Sequence, residues 1–397
     1  PNLAQTVPDT PGQSNKQPQV LPLKIRLFGA ETGDALTEEQ LVILSDASAS
    51  VTFETIAERP IVSLNRGFSA PVVIESDRTA ADLAFLARHD NDPFARYEAM
   101  QQLMLDTLVA ATIEERADHA AVIAAVADTL DNPELDPAFV AEAVLLPSES
   151  FIGDQLSTVD PDAVHAAREA LRGDLGRELE AQWRTGYEAG SGRAYAYTPE
   201  DKGLRRLRNV ALGYLAASGA DDAARLAYAQ FAKADNMTDR QGALTTLVSG
   251  HSEERDAALD IFYQRYQGNS LVLDKWFQTQ ALSSRDDTPA LVAELARHPD
   301  FSLANPNRAR SLIGAFGVNQ RAFHAKGGAG YRWLADQLIA LDALNPQTAA
   351  KLLPPLGRWR RFDPTRAALM RAELERIVAH SGLSKDLFEQ ASKSLEG

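Results

Sequence analysis

Four polar side chains in the last third of the chain have the types and spacing to grip a ligand. Arg308 and Arg310 lie two apart in "NPNRARSLIGAF" (305–316), and Gln347 and Lys351 lie four apart in "NPQTAAK" (345–351). A guanidinium offers paired N–H donors that match a carboxylate or a peptide carbonyl, while a lysine acts as a point charge. The four-residue spacing places Gln347 and Lys351 on one helix face. Each pair follows an Asn-Pro step, in which asparagine caps the helix and proline fills its first position. Leu312, Ile313 and Phe316 then supply an apolar stripe at helical spacing. Cations suit a helix start poorly, because its unpaired N–H groups already carry partial positive charge. Two readings remain for them: pairing with acidic neighbours, or a polar lining on the concave side of a helical array.

Other chemistry is thinly represented. The seven histidines are His89, His119, His165, His251, His298, His324 and His380, and no two stand four apart on a helix. "HSEER" (251–255) lacks the order and the second histidine of a zinc-peptidase helix. Each histidine therefore reads as a surface or helix-end residue. No nucleophile elbow, Walker loop or dinucleotide fingerprint is present. "KGGAGY" (326–331) precedes a helix without a preceding strand and reads as a connector. Catalytic, cofactor-binding and metal-ligating residues are all expected to be absent from this chain.

Composition narrows the partners. The 397 residues carry 55 acidic against 40 basic side chains, for a net charge of −15. Such a surface repels nucleic acid and anionic membrane, and neither is expected as a partner. The absence of cysteine removes disulfides and thiolate zinc sites and suits a reducing compartment, so a cytoplasmic location is expected. No apolar run approaches the roughly 20 residues of a membrane span. The chain opens on Pro1, which reads as a fragment or processed product whose start carries no targeting information.

Two periods divide the chain, and we expect a small Ig-like β-sandwich over 1–80, short of part of its first strand, and a helical domain over 81–397. "LPLKIRL" (21–27) puts Leu21, Leu23, Ile25 and Leu27 on one face, with Lys24 and Arg26 on the other. "SVTFETI" (50–56) alternates likewise, and "PIVSLNRGFSAPVVIE" (60–75) supplies two further runs split at Arg66-Gly67. From Thr79 the period becomes helical. Asp92-Pro93, Asp136-Pro137, Asp160-Pro161, Thr288-Pro289, Asn305-Pro306, Asn345-Pro346 and Asp363-Pro364 each pair a capping residue with proline at a helix start. Thr238 is the expected cap within "DNMTDR" (235–240), and Trp276 and Phe277 read as core. Pro354-Pro355 should end a helix sharply. Roughly fifteen to eighteen helices with short connections imply antiparallel pairs stacked in a curved superhelical, HEAT-like array.

Several blocks resemble a known family. "TPGQ…KQP…LPLKI" (10–25), "RGFSAPV" (66–72), "RHDNDPFARYEAMQ" (88–101), "DNMTD" (235–239), "LVLDKWF" (271–277) and "NPNRARSLIGAF" are similar, in order and spacing, to the C-terminal half of bacterial aminopeptidase N. These are the alanyl aminopeptidases of the gluzincin zinc-peptidase family. The resemblance implies that this chain holds the sandwich and the helical lid, and that zinc and the catalytic domain belong to the same polypeptide in the full-length enzyme. The chain is then expected to be inactive alone, to cover the active site, to form the access channel and to help hold short peptides. By the same carry-over Arg310 and Gln347 face the inner chamber, with Arg308 as a weaker case. Lys351 stands where close relatives carry arginine, keeping the charge but losing the planar fork.

The competing reading is a free-standing helical-repeat scaffold that binds a peptide or protein on its concave face. An in-frame H-E-x-x-H upstream of Pro1 favours the peptidase; a start codon just before Pro1 favours the scaffold.

Overall fold

The computed structural model describes residues 1–114 and 118–396. It groups the chain into two compact units, one of Pro1–Thr107 with the helices that follow as far as Leu146, the other mainly Pro147 onward.

The first unit opens with β1 (Asn2–Ala4), β2 (Leu21–Gly29), β3 (Gln40–Leu44), β4 (Ser48–Ser50) and β5 (Pro60–Leu64). β1 and β4 form one antiparallel pair, and β2 lies between β3 and β5 in a three-stranded antiparallel sheet. The register sets Leu21 opposite Leu44 and Ile25 opposite both Gln40 and Leu64. The alternation expected of β2 is realised: Leu23, Ile25 and Leu27 are buried, while Lys24 pairs outward with Glu39 at 2.9 Å. Leu23, Leu44 and Ala70 form a small core that Leu3, Leu21, Ala49 and Val72 complete.

Two expected strands do not form. Of "SVTFETI" only Ser50 joins a strand, because Thr55 adopts a left-handed backbone (φ 61°) that no continuous strand accepts. "PVVIE" lacks a ladder partner. Pro71 has no N–H, and the Asn65 side chain binds both the amide and the carbonyl of Ala70 just before it. β3 escaped the alternation test because it is apolar on both faces, with Leu41 and Ile43 exposed.

The helices then begin where the period changes. Thr79 and Asp82 form a reciprocal capping box on the helix Ala80–His89. Two of the quoted blocks meet in this unit: buried Arg66 bridges to Asp90 at 2.5 Å and to Asn91 at 2.6 Å, and the Gly67 amide donates to Asp92 at 3.0 Å.

In the second unit the Pro-capped starts largely hold. Asp160, Asn305, Asn345 and Asp363 each accept amide protons from the first turn of a helix opening on proline. Thr288 differs, since Asp287 is the cap position and the Thr288 hydroxyl donates instead to the Ser283 carbonyl at 3.1 Å. Asn236, not Thr238, caps Met237–Val248, because its amide oxygen reaches the Asp239 N–H at 2.9 Å. Pro354 and Pro355 start a short helix, Pro354–Gly357, rather than only ending the preceding one.

Sequential helices pack on one another: Pro161–Glu178 and Glu180–Glu188 on Pro199–Ser218, Ala223–Lys233 on Met237–Val248, Ala329–Asp342 on Pro346–Leu352. Large aromatics fill the seams. Trp183 stacks on Tyr214 at 4.2 Å and donates its indole N–H to the Leu175 carbonyl. Trp276 and Phe277 are buried, as expected of core residues. Residues far apart in sequence also meet within this unit. Val159 and Phe362 form a parallel bridge, and Arg366 reaches Asp162 at 2.7 Å.

Candidate functional site

The two candidate segments lie on helices that touch. Pro306–Ala309 runs without a break into a π-helical turn, Arg310–Gly314, and then into Ala315–Val318. A π turn widens the helix locally and often marks a functional segment. Its last residue lets the neighbour in: a Cβ placed on Gly314 would stand 3.2 Å from Leu352 Cδ2 and 3.8 Å from Arg310 Cβ. Arg310 and the helix Pro346–Leu352 therefore flank the same glycine.

The two arginines divide the alternatives between them. Arg308 is only 5% exposed. Its Nε donates to Asp274 at 2.5 Å, its Nη1 to the Asp300 carbonyl, and its guanidinium lies 4.9 Å from the centre of the Phe277 ring. This side chain joins "LVLDKWF" to "NPNRARSL" and is committed to the fold, so the weaker channel expectation for Arg308 gives way to an internal ion pair. The helix-end charge conflict is resolved by Asp274, which neutralises the cation. Arg310 is exposed, and its side chain donates to the Asn307 side chain at 2.9 Å. Gln347 and Lys351 are exposed one turn apart. Among the described residues neither Arg310 nor Lys351 has a carboxylate partner. The exposed Arg310, Gln347 and Lys351 lie on two helical segments that touch.

Lys351 also borders a cavity of about 450 Å³, together with Arg358, Arg361, His324 and Phe362. His324 ends the helix Gln320–Phe323, as a helix-end residue should, but it is 2% exposed and not on the surface. Its ring stacks on Phe362 at 4.2 Å, and Nδ1 lies 2.9 Å from the Tyr331 hydroxyl. Burial, with the Arg366 and Arg358 charges beside it, pushes its pKa down to about 3. Nothing in its sequence neighbourhood marks His324 out, because its partners come from residues 331, 362 and 366. Beneath it, burial alone would raise Asp162 and Asp363, yet hydrogen bonds and the charge of Arg366 hold both below the usual carboxylate range.

Among the described residues no three His, Asp or Glu side chains converge as metal ligands, so the donor set that a zinc would need is not found there. No helix among them is long and apolar enough to cross a membrane.

Comparison with known proteins agrees with this layout. Residues 2–77 match a domain of unknown function (DUF3458) with an Ig-like fold, and residues 80–396 match its companion (DUF3458_C) with ARM repeats. Aminopeptidase N of Caulobacter vibrioides is 40% identical over 92% of this chain, which covers 43% of that protein. Aminopeptidase N of Escherichia coli is 35% identical over 99% of this chain, which covers 47% of it. A crystal structure of Legionella pneumophila aminopeptidase A in complex with aspartic acid superposes with a TM-score of 0.85 at 29% identity, over 94% of this chain and 45% of that one. The chain thus spans less than half the length of these relatives. It belongs to the aminopeptidase N family, as the C-terminal part made of an Ig-like sheet and ARM-type helical repeats.

Proposed function

We propose that this chain is the non-catalytic C-terminal region of a zinc-dependent aminopeptidase that removes N-terminal residues from short peptides. It would cover the active site, frame the access channel and hold the peptide beyond its scissile bond. The observation that carries this reading is the exposed Arg310, Gln347 and Lys351, whose two cations have no carboxylate partner among the described residues of a chain of net charge −15. Such groups suit the carbonyls and terminal carboxylate of a peptide. Arg308 is left out of that surface because it is buried against Asp274. The metal, its activated water and the general base would all come from a catalytic domain on the same polypeptide. A cytoplasmic location fits the absence of cysteine.

The experiment compares the full-length parent with a form lacking this region, using a tripeptide and a folded protein with an accessible N-terminus. Deletion is expected to lower tripeptide turnover and to relax exclusion of the folded protein. Unchanged kinetics and unchanged size selection would refute the lid role.

A further inference from the structure

The cavity beside Lys351 is furnished for a ligand of its own. Lys351, Arg358 and Arg361 supply three cations from two segments, and Asp154 is the carboxylate facing them. Arg358 pairs with Asp154 and reaches the Ser150 hydroxyl at 3.5 Å, while Arg361 donates to the carbonyls of Gly153 and Leu156 at 3.1 Å. Asp154 is thus already engaged, and Lys351 has no carboxylate partner among the described residues.

A further donor comes from below. The Tyr331 hydroxyl is buried and has no other acceptor among the described residues, so its proton goes to His324 Nδ1. The neutral imidazole then carries its own proton on Nε2. That nitrogen has no partner among the described residues. His324, although only 2% exposed, lines this cavity. Val159, Leu352, Pro354 and Phe362 make the remaining wall apolar.

From this arrangement we propose that the cavity binds a small organic carboxylate with a short apolar body: the carboxylate against Lys351, Arg358 and the His324 Nε2–H, the hydrocarbon against Phe362 and the prolines. Its volume suits such a ligand. The carboxylate could belong to a free amino acid or to the end of an acylated chain. A free amino acid brings an ammonium into a cation-rich site whose one carboxylate is taken, so the acylated form binds more tightly. The site shares Lys351 with the peptide-holding surface proposed above, but its other groups, Arg358, His324 and Phe362, lie outside that surface, so binding to this chain alone tests it apart from peptidase kinetics.

The test is calorimetric titration of the 397-residue chain with N-acetyl-L-leucine, L-leucine and N-acetyl-L-leucinamide at low salt. N-acetyl-L-leucine is expected to bind, L-leucine more weakly, and the uncharged amide not measurably. Lys351→Met and Arg358→Gln, both at exposed positions, should each weaken binding about five-fold. In ¹⁵N-histidine spectra one neutral Nε2–H ring should shift on addition of N-acetyl-L-leucine and lose that shift in Lys351→Met. The proposal is overturned if neither carboxylate binds below about 10 mM, if the amide binds equally well, or if both variants bind like the parent.

Discussion

Lowering the pH from about 7.5 to about 5 should destabilise the helical unit through one side chain, His324. Its folded pKa lies near 3, so the folded state holds it neutral at both pH values. In the unfolded chain the same imidazole titrates near 6.5, and at pH 5 it is almost fully protonated. A group whose folded pKa is depressed in this way costs nothing above its unfolded pKa. Stability is lost as the pH falls below about 6.5, and the loss ends only near the folded value. Over 1.5 pH units the loss is about 2 kcal/mol, from 1.36 kcal/mol per unit. That figure needs only a folded pKa below 5, not its particular value. The assay is urea unfolding followed by tryptophan fluorescence. All four tryptophans, at 183, 276, 333 and 359, lie in the second unit, so the signal reports that unit alone. His324→Phe keeps the stack on Phe362 and removes the titration. Its stability at pH 7.5 should drop by about 1–3 kcal/mol, because Tyr331 loses its acceptor. Its further loss on acidification should be about 2 kcal/mol smaller than that of the parent. His324→Gln is the second variant if phenylalanine does not fold. Equal losses in parent and variant would refute the reasoning, since the histidine would then be reaching its proton in the folded state.

Other outcomes follow from the same packing. Arg308→Ala should cost about 3–5 kcal/mol in the same fluorescence assay, because it strands Asp274 in a largely buried site; Arg310→Ala should change stability by less than about 0.5 kcal/mol. Gly330→Ala should lose about 1–3 kcal/mol, since a Cβ there would stand 2.4 Å from the Phe323 carbonyl oxygen. Below pH 4 a second acid limb is expected. Asp162 and Asp363 contribute stability above their unfolded pKa and lose it as the pH falls through their depressed folded values, and Arg366→Met should shrink that limb by their share, leaving the part that Asp222 and Asp287 supply.

Much of this architecture could be read from local chemistry. A capping residue before proline is a signal complete within two positions, which is why Asp160, Asn305, Asn345 and Asp363 start helices where expected. β2 was legible because one of its faces is buried and the other wet, whereas β3 was not, being apolar on both. Thr288 and Thr238 misled because a residue with capping chemistry stood one or two positions from the residue that caps. Four of the six quoted blocks turn out to be joined in pairs: Arg66 with Asp90, and Arg308 with Asp274. An arginine's type is visible in sequence, but whether an acid waits for it 34 residues away is not. The same limit hid His324, whose surroundings are assembled by the tertiary fold.

The central claim is that Arg310 and Lys351 act on the part of a peptide beyond its first bond. The most direct measurement is kcat/KM of the full-length enzyme and its Arg310→Ala/Lys351→Ala variant on a tripeptide and on an amino-acid arylamide, which lacks that part. The account predicts a loss of about ten-fold or more on the tripeptide and little change on the arylamide. Equal losses on both substrates, or none on either, would contradict it.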